Sequence, residues 1–215
     1  MSSSEERLHV LIVPSWYPAH GGDILGSFFR EQALALKKGG YEVGVIAPQV
    51  RSLKAWKSLF TKQYGLSVEN DAGMTTCRWH MVYYTPMFRS INKKRWINVG
   101  KRLCDHYIER YGKPDVIHAH SLGNGGVLAR LLSKKYKIPY LITEHSTAYA
   151  RGFVEQKELD ALKVVVDEAS ECLAVSAEFS LLLNKLFSTN RWQYIPNIVS
   201  SKFFSYKKEE LVEGN

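Results

Sequence analysis

The chain has 215 residues, 45% hydrophobic and 12% aromatic, which is enough for one sizeable core. No apolar run reaches the roughly 20 residues that a membrane span needs, and the polar start Met1–Arg7 does not read as a secretory signal. Three scattered cysteines (Cys77, Cys104, Cys172) form neither a disulfide framework nor a CxxC metal pair, so the expectation is a cytoplasmic protein.

The net charge of +8 is unevenly spread. Arg51–Lys62 carries four basic residues and Ile91–Arg102 five, neither with an acid, whereas Glu155–Glu178 holds seven acids against two lysines. A basic N-terminal half suggests an anionic partner: a phosphorylated substrate, anionic lipid or nucleic acid. The charge has no RNP-like, zinc-finger or helix-turn-helix signature beside it, and nucleic acid is not the expected partner.

In chain order, Leu8–Val13 reads as a first, central strand that Pro14 breaks. A loop through Gly21, Gly22 and Gly26 leads to Ser27, a candidate N-cap, and a helix 28–38 that buries Phe29, Ala33 and Leu36. The glycines read either as a phosphate-cradling loop at a helix N-terminus or as a surface turn, since GxGxxG and a Walker lysine are both missing. A second strand covers 42–47 and stops at Pro48.

RSLKAWKSLFTK, 51–62, places Leu53, Trp56 and Phe60 on one helical face with Lys54 and Lys57 around it. It reads either as an interfacial membrane helix or as a helix packed on its own domain. Alternation around Asp71-Ala72-Gly73 predicts a hairpin at the sheet edge. A helix is expected over 93–111, then a strand over 114–121, a helix from 125 to 136 and a strand over 138–143. Next come a helix at 155–169, a strand at 171–175, a helix at 177–187 capped by Ser176, and a last strand at 192–195. Strands alternating with such helices mean an α/β, Rossmann-like, doubly wound and mainly parallel sheet.

Two strands, DVIHAHS and PYLITEHS, end in polar clusters containing His120-Ser121 and Glu144-His145. In open α/β sheets, ligands bind outside the carboxyl ends of the strands. His118 lies two residues before His120 and shares its side, deeper in the strand. A metal site on these histidines has no supporting carboxylate or cysteine pattern, and no metal or cofactor is expected.

With these pieces in place, the chain resembles glycosyltransferase family 4, whose enzymes have the two-domain GT-B fold. The carriers are LHVLIVPSWYP…GSFFREQALALKKGGYEVGVIAP, DVIHAHS, PYLITEHS, CLAVSA and YIPNIV, in order across residues 8–204. The resemblance implies an isolated N-terminal, acceptor-side domain, one half of a GT-B fold, with residues 1–7 and 205–215 as tails and the donor domain absent. It implies transfer of a sugar, with retention, from a nucleotide sugar to a lipid-linked, polysaccharide or cell-envelope acceptor, and little activity for this chain alone. A non-catalytic sugar- or membrane-binding module and a sugar-nucleotide epimerase are the alternatives.

The resemblance places His145 beside the transferred sugar, with Glu144 in a supporting acid or base role. His120, Ser121, Trp16 and Ser15 would line the acceptor pocket; Trp16 could equally plug the core. Gly22 and Gly26 would approach the donor diphosphate, with Arg30 reaching an anionic group or simply solvated. Lys54, Trp56, Lys57, Lys93 and Lys94 would contact an anionic membrane surface, making the protein cytoplasmic or peripheral on the inner face.

Overall fold

HVLIVP is apolar at alternate positions on both sides of the strand, which suits a strand covered on two faces. The computed structural model puts it at the centre of an eight-stranded sheet. The structure describes residues 7–19, 23, 26–51, 64–82 and 88–198. In order these form β1 (His9–Pro14), α1 (Ser27–Lys38), β2 (Glu42–Arg51), β3 (Gly65–Asp71), β4 (Met74–Val82) and α2 (Arg89–Tyr111). There follow β5 (Val116–His120), a π-helical turn (Leu122–Gly126), α3 (Val127–Tyr136), β6 (Tyr140–Glu144), α4 (Gln156–Asp167), β7 (Glu171–Ala174), α5 (Ala177–Phe187) and β8 (Trp192–Tyr194).

The strand order is β3-β4-β2-β1-β5-β6-β7-β8. Every neighbouring pair is parallel except the β3–β4 hairpin at one edge. Leu11 and Val13 of β1 pack with Trp96 and Leu103 of α2, Leu128 of α3, Leu162 of α4 and Leu183 of α5 in one core. Val10 and Ile12 point the other way and pack with Phe29 and Ala33 of α1. Each such fully buried side chain contributes about 1.5–3 kcal/mol before entropy is charged against it. The doubly wound, mainly parallel sheet with an antiparallel edge hairpin is therefore as expected.

Several local expectations need correction. β2 does not stop at Pro48: past Val45 it has left β1 behind and pairs only with β4, so the proline lacks an N–H only on an unpaired side. α1 is capped by Gly26 in the left-handed region (φ 78°), with no side-chain cap, and Ser27 is its first residue. A Cβ on Gly26 would meet Trp16 Cδ1 at 3.0 Å, so the helix start needs glycine for both conformation and space.

α2 begins at Arg89, and α3 is preceded by a π-helical turn. The turn is possible because Gly125 has no Cβ; one would lie 2.7 Å from the carbonyl oxygens of both Val13 and His120. Arg51 closes β2, and the rest of the basic stretch, with Lys54, Trp56 and Lys57, lies outside the described residues, as does Gly22. No described helix is long and apolar enough to cross a membrane.

Candidate active site at the carboxyl edge of the sheet

β1, β5 and β6 end side by side, and their last residues are tied together through the backbone. Ser15 N–H donates to the His120 carbonyl (3.0 Å), and Ser121 N–H to the Thr143 carbonyl (2.9 Å). Ile117 and Ala119 belong to the α2–α3 core, so His118 and His120 point to the α1 side by strand alternation. Both are buried, their rings 4.2 Å apart. His118 Nε2 bonds Thr143 Oγ1 (2.8 Å), and His120 Nδ1 bonds His145 Nε2 (3.2 Å). The chain thus aligns three imidazoles toward the sheet edge, His118 deepest and His145 outermost.

The N-terminus of α1 lies over this row. The Phe29 ring lies tilted at 4.8 Å from His120 and edge-on at 5.0 Å from His145, and the Phe28 ring tilted at 4.9 Å from His145. This aromatic cover was missed in the sequence beyond the burial of Phe29; its only signal was a Phe-Phe pair directly after a glycine that opens a helix. Desolvation depresses all three histidines: His118 to about 3, His145 to about 4, and His120 well below the usual imidazole range. At neutral pH each ring is uncharged, with one N–H and one lone pair. Among the described residues, His120 Nε2 and His145 Nδ1 have no hydrogen-bond partner.

Glu144 is fully buried, and its carboxylate serves the backbone. Oε2 accepts from Leu122 N–H (2.6 Å), and Oε1 accepts from His145 N–H (2.8 Å) and Ser146 N–H (2.7 Å). Burial pushes its carboxyl up, and the Leu122, Ser146 and His145 N–H groups pull it partly back. The residue braces the turns after β5 and β6. Ser15 is similarly engaged, its hydroxyl donating to the Ser121 carbonyl (3.2 Å) and accepting from Gly125 N–H (2.8 Å). Ser121 is buried with φ 67°, a costly conformation for a residue with a Cβ, where the chain turns out of β5. Arg30 points away from this edge and forms a bidentate pair with Asp71 (2.6 and 2.7 Å), tying α1 to the edge hairpin.

His145 stands between two open clefts. One, of about 640 Å³, is lined by Trp16, Asp23, Gly26 and Phe28 on one side and His145, Ser146 and Thr147 on the other. The second, of about 320 Å³, runs from the same 145–147 turn to Ser176 and Phe179 at the start of α5. The structure therefore brings Trp16, Gly26 and His145 to one groove, with His120 buried behind His145. On α2, Lys93 is half-buried and Lys94 exposed. Among the described residues, no group of three His, Cys, Asp or Glu side chains is disposed to hold a metal ion.

The family model for Glycosyltransferase Family 4 matches residues 25–203, from the helix under Phe28 through both histidine strands to the end of the sheet. The chain belongs to this family. Within it, the chain is 27% identical over 196 aligned residues to TuaC of Bacillus subtilis (strain 168), whose name assigns it to teichuronic acid biosynthesis as a glycosyltransferase. That match covers 83% of this chain and 47% of TuaC, so the chain spans about half the length of this curated relative. Solved glycosyltransferase structures share the fold. HepE of Anabaena, crystallised with UDP and glucose, superposes with a TM-score of 0.58 at 13% identity over 92% of this chain and 46% of its own. UGT89C1 of Arabidopsis thaliana, crystallised with UDP, gives 0.56 at 12% identity over 91% and 53%. The family 4 chain is thus an α/β sheet of the GT-B glycosyltransferase kind.

Proposed function

We propose that this chain is the acceptor-side half of a retaining glycosyltransferase, moving a sugar from a nucleotide sugar to a glycan or lipid-linked acceptor. The observation that carries the reading is the position of His145, a neutral imidazole at the junction of two open clefts on the carboxyl edge of the sheet. An uncharged ring so placed can donate one hydrogen bond and accept another, which suits sugar hydroxyls. HepE and UGT89C1, crystallised with UDP, support a nucleotide-sugar donor, and the name of TuaC supports a polymeric glycan acceptor.

In this reading His145 contacts the transferred sugar, and His120 fixes the tautomer and tilt of its ring. Trp16 and Phe28 form the opposite wall. Gly26 lets the donor diphosphate approach the start of α1, whose first turn holds no acid to repel it. Glu144 leaves the role of acid or base and becomes a positioning residue, because both its carboxylate oxygens accept from backbone N–H groups. Arg30 leaves the diphosphate site, its fork being filled by Asp71.

The test is calorimetric binding of short neutral oligosaccharides differing in terminal sugar, beside a UDP-glucose turnover assay on the same chain. We expect one terminal sugar to bind and His145→Ala to weaken it about tenfold, the loss of about 1.4 kcal/mol. We expect no detectable turnover by the chain alone. Turnover by these 215 residues, or glycan binding indifferent to His145, overturns the reading.

A further inference from the structure

A third cleft lies on the other face of the sheet. Ile91, Lys94, Arg95, Asn98 and Arg102 of α2 recur at i, i+3, i+4, i+7 and i+11, one stripe of the helix. The stripe faces Trp79 of β4 and encloses about 470 Å³, within the ~300–1,000 Å³ of pockets that hold small ligands.

Its charge is one-sided. Arg95 is positioned by donating to the Val82 carbonyl (2.8 Å). Lys94 and Arg102 are exposed, and among the described residues no carboxylate pairs with either. The next acid along α2, Asp105, is already paired with Lys135 (2.7 Å). Two unpaired cations beside a half-buried indole and a side-chain amide form a concave site, unlike the flat basic face that suits a bilayer.

The chemistry this combination recognises is a ring with an apolar face and a negative group. The indole covers the C–H face of a pyranose, Asn98 meets hydroxyls, and a guanidinium binds carboxylate or phosphate oxygens in a fork. The cleft also lies near the site already described. Ile12 pairs with Val45 and Pro48 with Trp79, so Trp79 is level with the end of β1 and two strands away, about 10 Å across the sheet.

We propose that the α2–β4 cleft binds an acidic sugar unit, with Lys94 and Arg102 on its anionic group and Trp79 against its ring. This adds a second glycan site to the proposed transferase. Its test reads binding alone, so either proposal can fail without the other.

The experiment is titration calorimetry of the chain with trigalacturonate, with maltotriose as the neutral comparison and mannose 6-phosphate to separate phosphate from carboxylate recognition. The double variant Lys94→Gln/Arg102→Gln is compared with Lys157→Gln/Lys185→Gln, which removes the same charge from exposed sites elsewhere. We expect at least one acidic ligand to bind and maltotriose not to. The cleft variant should weaken that binding tenfold or more and the control less than twofold. Equal weakening by both variants, or no binding of either acidic ligand, overturns the proposal. So does binding to phosphatidylglycerol vesicles that depends on Lys94 and Arg102 when the acidic sugars do not bind.

Discussion

Buried histidines occur at both ends of the central strands, and the two ends treat them differently. At the amino edge, His9 Nε2 meets the Tyr107 hydroxyl at 2.7 Å, and the His9 N–H is taken by Asp115 at 2.7 Å. Tyr107 in turn fills the space left by Gly44, where a Cβ would lie 1.9 Å from its hydroxyl oxygen. At the carboxyl edge, His120 Nε2 and His145 Nδ1 have no partner among the described residues. Buried polar atoms are normally paired because an orphan costs about 1–3 kcal/mol. A satisfied histidine braces the fold, whereas the carboxyl-edge pair leaves two buried nitrogens unpaired among the described residues.

The largest break in this contrast comes at Glu144. Glu144→Ala strands the N–H groups of Leu122, His145 and Ser146 inside the protein. We expect a loss of about 3–5 kcal/mol by urea unfolding, given about 1–3 kcal/mol for each buried unsatisfied group and partial relaxation. Glu144→Gln keeps one acceptor oxygen and should lose distinctly less. If both variants unfold like the parent protein, the carboxylate is not the brace described here.

The two histidine clusters should then separate in a pair of truncations. His9→Ala removes a packed ring and orphans the Tyr107 hydroxyl, for an expected cost of about 2–3 kcal/mol. His145→Ala removes a ring that is only half-buried and leaves His120 Nδ1 without its partner across a long 3.2 Å bond, for a smaller cost of about 1–2 kcal/mol. The same change should cost more in glycan binding than His9→Ala does. A reversed order in both stability and binding would erase the distinction between the two edges.

How much of this was legible in the sequence depended on range. Strand ends bearing His120 and His145 are visible because a short apolar run followed by a polar cluster is a local pattern. The hairpin at 71–73 is equally local: Ala72 (φ 52°) and Gly73 (φ 86°) form the turn that Asp-Ala-Gly suggested. The bracing contacts of Glu144 were not legible because its three donors converge only after β5 and β6 are laid side by side. The pairing of Arg30 was not legible because Asp71 is 41 residues away in the chain. Pro48 misled because a proline's meaning in a strand depends on which neighbours the strand has, and those are set by topology.

Acid should expose the contrast collectively. Burial lowers His145 to about 4 and His118 to about 3, against 6.5 for the free side chain. A base whose folded pKa is depressed binds fewer protons folded than unfolded. Its stabilising effect is complete above pH 6.5 and is lost as pH falls toward the folded value. Glu144, shifted upward, acts with the opposite sign. Between pH 6.5 and about 5 the histidines dominate, because free carboxyls titrate mainly below that range. The urea midpoint should fall across that window, less steeply in His145→Ala. A midpoint flat from pH 7 to 5 would mean the row of rings is charged in the folded state.

The smallest effect belongs to Arg30. Its fork on Asp71 joins α1, which carries Phe28 and Phe29 over the histidines, to the edge hairpin. Both side chains are partly exposed, at 18% and 17%, so screening limits the pair to about 0.5–1 kcal/mol even in bidentate geometry. Arg30→Gln should therefore lower the melting temperature slightly, and more so at low salt. Because the guanidinium is already committed, UDP binding should be unchanged. A tenfold loss of UDP affinity in Arg30→Gln, with stability intact, would return this residue to the donor site and show that the pair with Asp71 opens when a diphosphate arrives.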